Sequence, residues 1–211
     1  SARRSGCSVR WSVSSRSPRN ATAIVMPPTA PRWCRCGCAR LGRLLFNQGA
    51  RCLELDDRRA AVAAFADALE LREQLVRENP GAFRAQRDLV LTRARLVRAQ
   101  LPVEGAAAGA AAASWVAEVN ALPDELHERL LGDATARQSV AALWNVVGES
   151  RARSGDTAAA IAAHRSAREL LAPSMTGSSA VGWERADALI AAVALAALAR
   201  GGGDADGARR L

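Results

Sequence analysis

Lysine and tyrosine are absent from this 211-residue chain, which has only two histidines and 4% aromatic residues. A core with so few rings must be thin and built from Ala, Leu and Val, which the hydrophobic content of 49% supplies. Alternating β-branched stretches are also nearly absent, and no apolar run reaches the ~18 residues of a membrane span. These absences argue against a transmembrane helix and predict a mainly α-helical fold.

Acidic residues are also missing from the first 43 positions, where nine arginines lie. The rest of the chain has 20 arginines against 21 acids, so the formal charge of +8 belongs to the N-terminal segment. We predict a disordered Arg-, Ser- and Cys-rich tail over residues 1–40, with an organelle transit peptide or sequence outside the native reading frame as alternatives. The nearly neutral body lacks the clustered positive charge that nucleic-acid binding needs, so only the tail is a candidate for it, and a weak one.

Three of the five cysteines stand at alternate positions, Cys34, Cys36 and Cys38. Structural zinc sites use paired Cys-x2-Cys segments whose sulfurs converge on a tetrahedron, and spacing by one residue strains that geometry. The odd number of cysteines also argues against a complete disulfide framework. We therefore predict no metal site and no cofactor.

An internal repeat is the strongest pattern in the sequence. The stretch LWNVVGESRARSGDTAAAIAAHRSARELL, residues 143–171, predicts two helices separated by Ser-Gly-Asp, with Asp156 as the cap of the second. Its glycine at residue 148 has equivalents at residues 49, 97 and 196, so the spacings are 48, 51 and 48 residues. This period predicts copies near 42–80, 84–122 and 134–172 and a partial copy at 183–207.

Small residues occupy equivalent places in the second helix of each copy, where two helices are expected to cross closely. They are Ala61 and Ala68 in the first copy, Ala110 and Ala117 in the second, and Ala160 and Ala167 in the third. The three-residue excess before the third copy falls near Pro123, which predicts the start of a short additional helix.

This pattern resembles the tetratricopeptide repeat, in its long-period bacterial tandem form, over residues 41–207. The resemblance implies an all-α, right-handed α-solenoid of stacked antiparallel helix pairs in a cytoplasmic protein. It also implies that the first helix of each pair lines a concave groove that binds a peptide or a partner's helix. Carried over place by place, the groove candidates are Asn47, Glu54, Arg95, Arg98, Asn145, Glu149 and Arg153.

Catalysis requires a converging set of acid, base, nucleophile or metal ligands, and the sequence offers no such set. His164 falls at a packing place of the repeat and is predicted to be structural, and His127 lies in a charged segment. We therefore predict a non-enzymatic protein-interaction module in which Asn145→Ala or Arg98→Ala weakens a partner without unfolding the chain. The alternatives are a regulatory segment of a larger enzyme or signalling protein, and weak nucleic-acid binding by the tail.

Overall fold

The structure is a computed structural model that describes residues 32–175 and 182–201. Within these ranges the chain is entirely α-helical with short connecting turns, which confirms the predicted all-α class. The helices are α1 (Arg32–Glu54), α2 (Arg58–Glu78), α3 (Phe83–Gln100), α4 (Gly105–Asn120), α5 (Asp124–Gly132), α6 (Ala134–Arg153), α7 (Thr157–Met175) and α8 (Gly182–Gly201).

The turns of the first and third helix pairs have the same construction. Asp56 and Gly155, which are equivalent in the repeat, both have positive φ, 59° and 81°. The aspartate that follows each of them caps the next helix: the Asp57 carboxylate accepts from the Ala60 amide at 3.0 Å, and that of Asp156 from the Ala159 amide at 3.1 Å. Such a cap contributes about 1 kcal/mol to helix stability. The turn and cap predicted around Asp156 are confirmed, and Asp57 forms the same cap in the first pair.

A glycine on the first helix lets the second helix approach closely in the same two pairs. A Cβ on Gly49 would lie 2.8 Å from the ring of Phe65, and a Cβ on Gly148 would lie 2.6 Å from Nε2 of His164. The ring of the second helix therefore fills the space that the missing side chain leaves. The alanines predicted at the helix crossings, Ala61, Ala68, Ala160 and Ala167, are all fully buried.

The second pair differs from the prediction in its second helix. Ala110 and Ala117 are exposed, and the buried residues are Gly109 and Val116. Gly109 and Val116 lie 48 residues after Ala61 and Ala68, so they follow the 48-residue period. The predicted residues, Ala110 and Ala117, are each one position too late in the sequence. In this pair the large and small partners are exchanged: Val97 occupies the place of the glycine and Ala113 that of the ring, both in one apolar cluster.

The core follows the chain in successive clusters. One cluster joins α1, α2 and α3 around Phe65 and Leu96. The largest joins α3, α4, α5 and α6, and it includes Leu130, the one fully buried anchor of the short helix α5. A further cluster joins α6, α7 and α8 through Ala167, Leu171 and Ala191. Each helix pair is thus packed on the next through apolar side chains.

The helical region begins earlier than the predicted domain boundary at residue 41. Helix α1 begins at Arg32, so the last residues of the segment predicted as a tail are helical, and Cys38 is buried beside Leu71. The tail predicted for the residues before 32 lies outside the described residues. The fourth copy contributes one helix, α8, and its predicted end at 207 also lies outside them. No helix in the described ranges is both long enough and apolar enough to cross a membrane.

Candidate partner-binding surface

The groove candidates lie on the first helices of the three pairs, and the structure divides them into separate groups. Asn47 and Glu54 are exposed on α1, where Glu54 forms an ion pair of 2.9 Å with Arg51 of the same helix. Arg95, Arg98 and Asn145 lie together around one aspartate of α8. Glu149 and Arg153 form a pair near the end of α6.

The group around α8 is a polar cluster that contains Arg98, Gln138, Asn145, His164 and Asp187, called the Asp187 cluster below. Asp187 is only 2% exposed, and its two carboxylate oxygens accept from Arg98 Nη1 and Gln138 Nε2, each at 2.9 Å. Its backbone carbonyl accepts from Asn145 Nδ2 at 3.1 Å. A buried carboxylate requires such donors because its desolvation is otherwise too costly. The cluster ties α8 to α3 and α6.

Asn145 is a buried link of this cluster rather than an open contact for a peptide. It is 6% exposed, and its Oδ1 lies 3.1 Å from Nδ1 of His164 while its Nδ2 bonds to Asp187. The expectation that Asn145→Ala leaves folding intact is therefore not supported, because the truncation would leave two buried polar groups without their partner.

His164 is 2% exposed, in agreement with the structural role predicted for it. Because Asn145 Oδ1 can only accept, the His164 Nδ1 carries the proton in this contact and Nε2 faces Gly148. Burial lowers the pKa of His164, and the carboxylate of Glu149 opposes that shift in part. The ring is thus held neutral between the two helices of its pair.

Arg95 is the half-buried neighbour of the cluster on α3. Desolvation lowers its pKa first, the like charge of Arg98 lowers it further, and Asp187 opposes both effects. Two guanidinium groups therefore face a single carboxylate. Among the side chains described here the two arginines outnumber the acid, so an arriving carboxylate would be attracted to them.

Glu149 and Arg153 are joined by an ion pair of 2.7 Å, with both side chains about half exposed. Arg153 Nη1 also donates to the backbone carbonyl of Leu101 at 2.7 Å, so the pair closes the end of α3 against α6. Beside it a groove of about 430 Å³ runs between α4 and α6. Its lining is Ala106, Gly109, Ala110, Val147, Ser150, Arg151, Arg153 and Ser154.

Sequence reasoning missed Gln138, Asp187 and Arg93. The signal for Asp187 is an acid placed directly before a nearly uninterrupted apolar stretch, residues 188–199. Arg93 is buried between Glu73 and Glu118, at 3.4 and 2.7 Å, and its guanidinium lies 5.2 Å from the Trp115 ring centre. It has the character of a structural link between α2, α3 and α4.

In the described ranges no group of three or more His, Cys, Asp or Glu side chains is arranged to hold a metal ion. Comparison of the chain with protein-family models, with curated proteins and with solved structures finds no match. The assignment of a function therefore depends on the helix pairs and their polar side chains.

Proposed function

We propose that the chain is a non-enzymatic interaction module, a right-handed solenoid of tetratricopeptide-like helix pairs that binds a peptide or a partner's helix. The observation that carries this proposal is the repetition of one helix pair in detail. The first and third pairs share the positive φ, the aspartate cap and the contact between a glycine and a ring. A unit repeated in this way produces an extended surface rather than one enclosed pocket, and extended surfaces suit chain-like partners.

The residues that we assign to the contact are the accessible polar side chains of the first helices. They are Asn47 and Glu54 on α1, Arg95 on α3, and Glu149 and Arg153 on α6. Arg95 is the strongest of these, because it is half-buried beside a second arginine, and Asp187 opposes the effect of that like charge. An Arg side chain in this setting binds a carboxylate by two parallel hydrogen bonds and loses little rotamer freedom in doing so.

The test uses the full chain, immobilised and screened against a library of random 15-residue peptides. The selected peptide is then measured by fluorescence anisotropy against the wild type, Arg95→Gln and Arg165→Gln. Arg165 is exposed on the second helix of its pair and provides a matched loss of one positive charge. We expect Arg95→Gln to weaken binding by about tenfold, or ~1.4 kcal/mol, and Arg165→Gln to leave it within about twofold.

Two results would contradict the proposal: a failure to select any peptide, or equal losses of affinity in the two variants. Equal losses would mean that the peptide responds to net charge and not to the first helices. Circular dichroism of both variants checks that neither substitution has altered the helix content.

A further inference from the structure

The carboxylate of Asp187 is bound by side chains that belong to other helices. Arg98 on α3 and Gln138 and Asn145 on α6 supply three donors, each 2.9 to 3.1 Å from an oxygen of this one residue. All three donors lie on helices that are packed together by the largest core cluster, to which none of the described side chains of α8 belongs. Helices α3 and α6 therefore provide the donors, and α8 provides the residue that they bind.

The apolar attachment of α8 is narrow. Among the side chains of α8 that the structure describes, the buried apolar ones are Ala188, Ala191 and Leu195, two of them single methyl groups. The other side of the helix exposes larger apolar side chains: Leu189 is 62% exposed and Val193 is 57% exposed. An apolar strip of this size gives a helix little specificity. The position of α8 therefore depends on Asp187, whose carboxylate accepts from Arg98 and Gln138 and whose backbone carbonyl accepts from Asn145.

We propose that Arg98 and Gln138 form a recognition site for a carboxylate carried on a helix, with Asn145 binding the backbone carbonyl of the same residue. Helix α8 fills this site in competition with a partner helix of the same chemistry. The inference rests on the proposed function, since it names the kind of helix that the module binds. Arg98 keeps 40% of its side chain exposed and is the edge of the site at which an incoming carboxylate makes its first contact.

The contacts of α8 specify the partner helix. It carries an acid that points into the site, a small residue one and four positions later, and a leucine eight positions later. These are the spacings of Asp187, Ala188, Ala191 and Leu195. They place all four side chains on one face of the helix, so bulkier residues at the two alanine places would hold the helix away from α6 and α7.

The test presents α8 to the protein as a separate molecule. The probe is a fluorescent peptide of residues 182–201 that carries Leu189→Gln and Val193→Gln for solubility, because both of these side chains face solvent. The control peptide carries Asp187→Asn in addition. Binding is measured by anisotropy to the full wild-type chain and to the full Leu195→Ala chain, whose own α8 has lost its largest buried side chain and competes less.

We expect the probe to bind the Leu195→Ala chain at least tenfold tighter than the wild type, and the control peptide to bind that chain at least tenfold weaker than the probe. Hydrogen exchange of α8 is followed in the same samples. If the amides of α8 stay protected in the Leu195→Ala chain, the binding measurements are repeated with the Asp187→Ala chain. The variant whose α8 exchanges freely is called the released chain. Adding Arg98→Gln to the released chain should remove the preference for the probe over the control.

Equal binding of the two peptides, or no binding to a chain whose α8 exchanges freely, would overturn the carboxylate site. A chain that fails this test but still shows the Arg95-dependent binding of a selected peptide would refute this inference alone. Loss of the Arg95-dependent binding with retention of the preference for the probe would refute the broader groove and leave the Asp187 site in place.

Discussion

At the residue scale, the repeat places chemically different side chains in the same packing position. Phe65 and His164 stand at equivalent places, and each ring lies against the glycine of its own first helix. Phe65 needs no polar partner, whereas His164 needs an acceptor for one ring nitrogen, which Asn145 supplies. Of these two residues, only His164 can titrate, so only its packing depends on pH.

His164 makes stability depend on pH near neutrality. Its pKa is lowered in the folded chain, so the unfolded chain binds more protons, and stability is complete above the unfolded pKa of about 6.5 and falls as the pH drops below it. The slope is at most about 1.4 kcal/mol per pH unit. Urea unfolding of the wild type at pH 7.5 and 5.5 should show this loss.

The control is His164→Phe, which places at this position the residue of the first pair. Its stability should change less over the same pH range, because the ring no longer titrates. A pH dependence of equal size in both proteins would assign the effect to carboxylates and not to His164.

At the element scale, the closeness of two helices is set by a single position on the first. In the pair α6 and α7 that position is Gly148, and in α1 and α2 it is Gly49. In the pair α3 and α4 the order of sizes is reversed: the larger residue, Val97, is on the first helix and the smaller, Ala113, is on the second. The small residues of such a helix pair can be found in the sequence. Which residue of the second helix packs against each of them becomes clear only in the structure.

Gly148→Ala tests this closeness. The new Cβ would lie 2.6 Å from His164 Nε2, so the ring or the helix must move, which costs about 1–3 kcal/mol and exceeds the gain of up to about 1 kcal/mol in helix propensity. Chemical denaturation should show a net loss of stability. Gly132→Ala at the end of α5 is the matched control, because its Cβ meets nothing within 4 Å and it should cause no loss.

A Gly148→Ala protein as stable as the Gly132→Ala protein would mean that α6 and α7 can separate at little cost. Packing of the two helices would then not require a glycine at residue 148.

At the scale of the whole molecule, the core is a series of clusters along the chain rather than one centre. The cluster around Phe65 joins α1, α2 and α3, and the cluster around Leu171 joins α6, α7 and α8. Helices far apart in this series share few contacts, so damage at one end should have little effect at the other.

Phe65→Ala tests this arrangement. Removal of a fully buried ring costs about 3–5 kcal/mol, and the loss should appear first as faster amide exchange in α1 and α2, with α6 and α7 still protected. The reciprocal variant, Leu143→Ala in the largest cluster, should accelerate exchange in α4 and α6 most. Uniform acceleration along the chain in either variant would show that the molecule unfolds as a single unit.

The sequence by itself determined the helical pairing, the turns of the first and third pairs and the start of the short helix α5, because these depend on local signals: a turn residue, a capping carboxylate, and alanines at fixed spacing. It also identified His164 as a packing residue. It did not determine the register of the second pair after its turn. Tertiary structure decided the rest. Asn145 was predicted as an open groove contact, and Asp187 was not among the predicted site residues. Both are buried because the side chains that satisfy them lie on helices 19 to 89 residues away. Burial of a polar group depends on hydrogen-bond partners that come together only when the helices pack. Local spacing in the sequence cannot predict which residues these partners are.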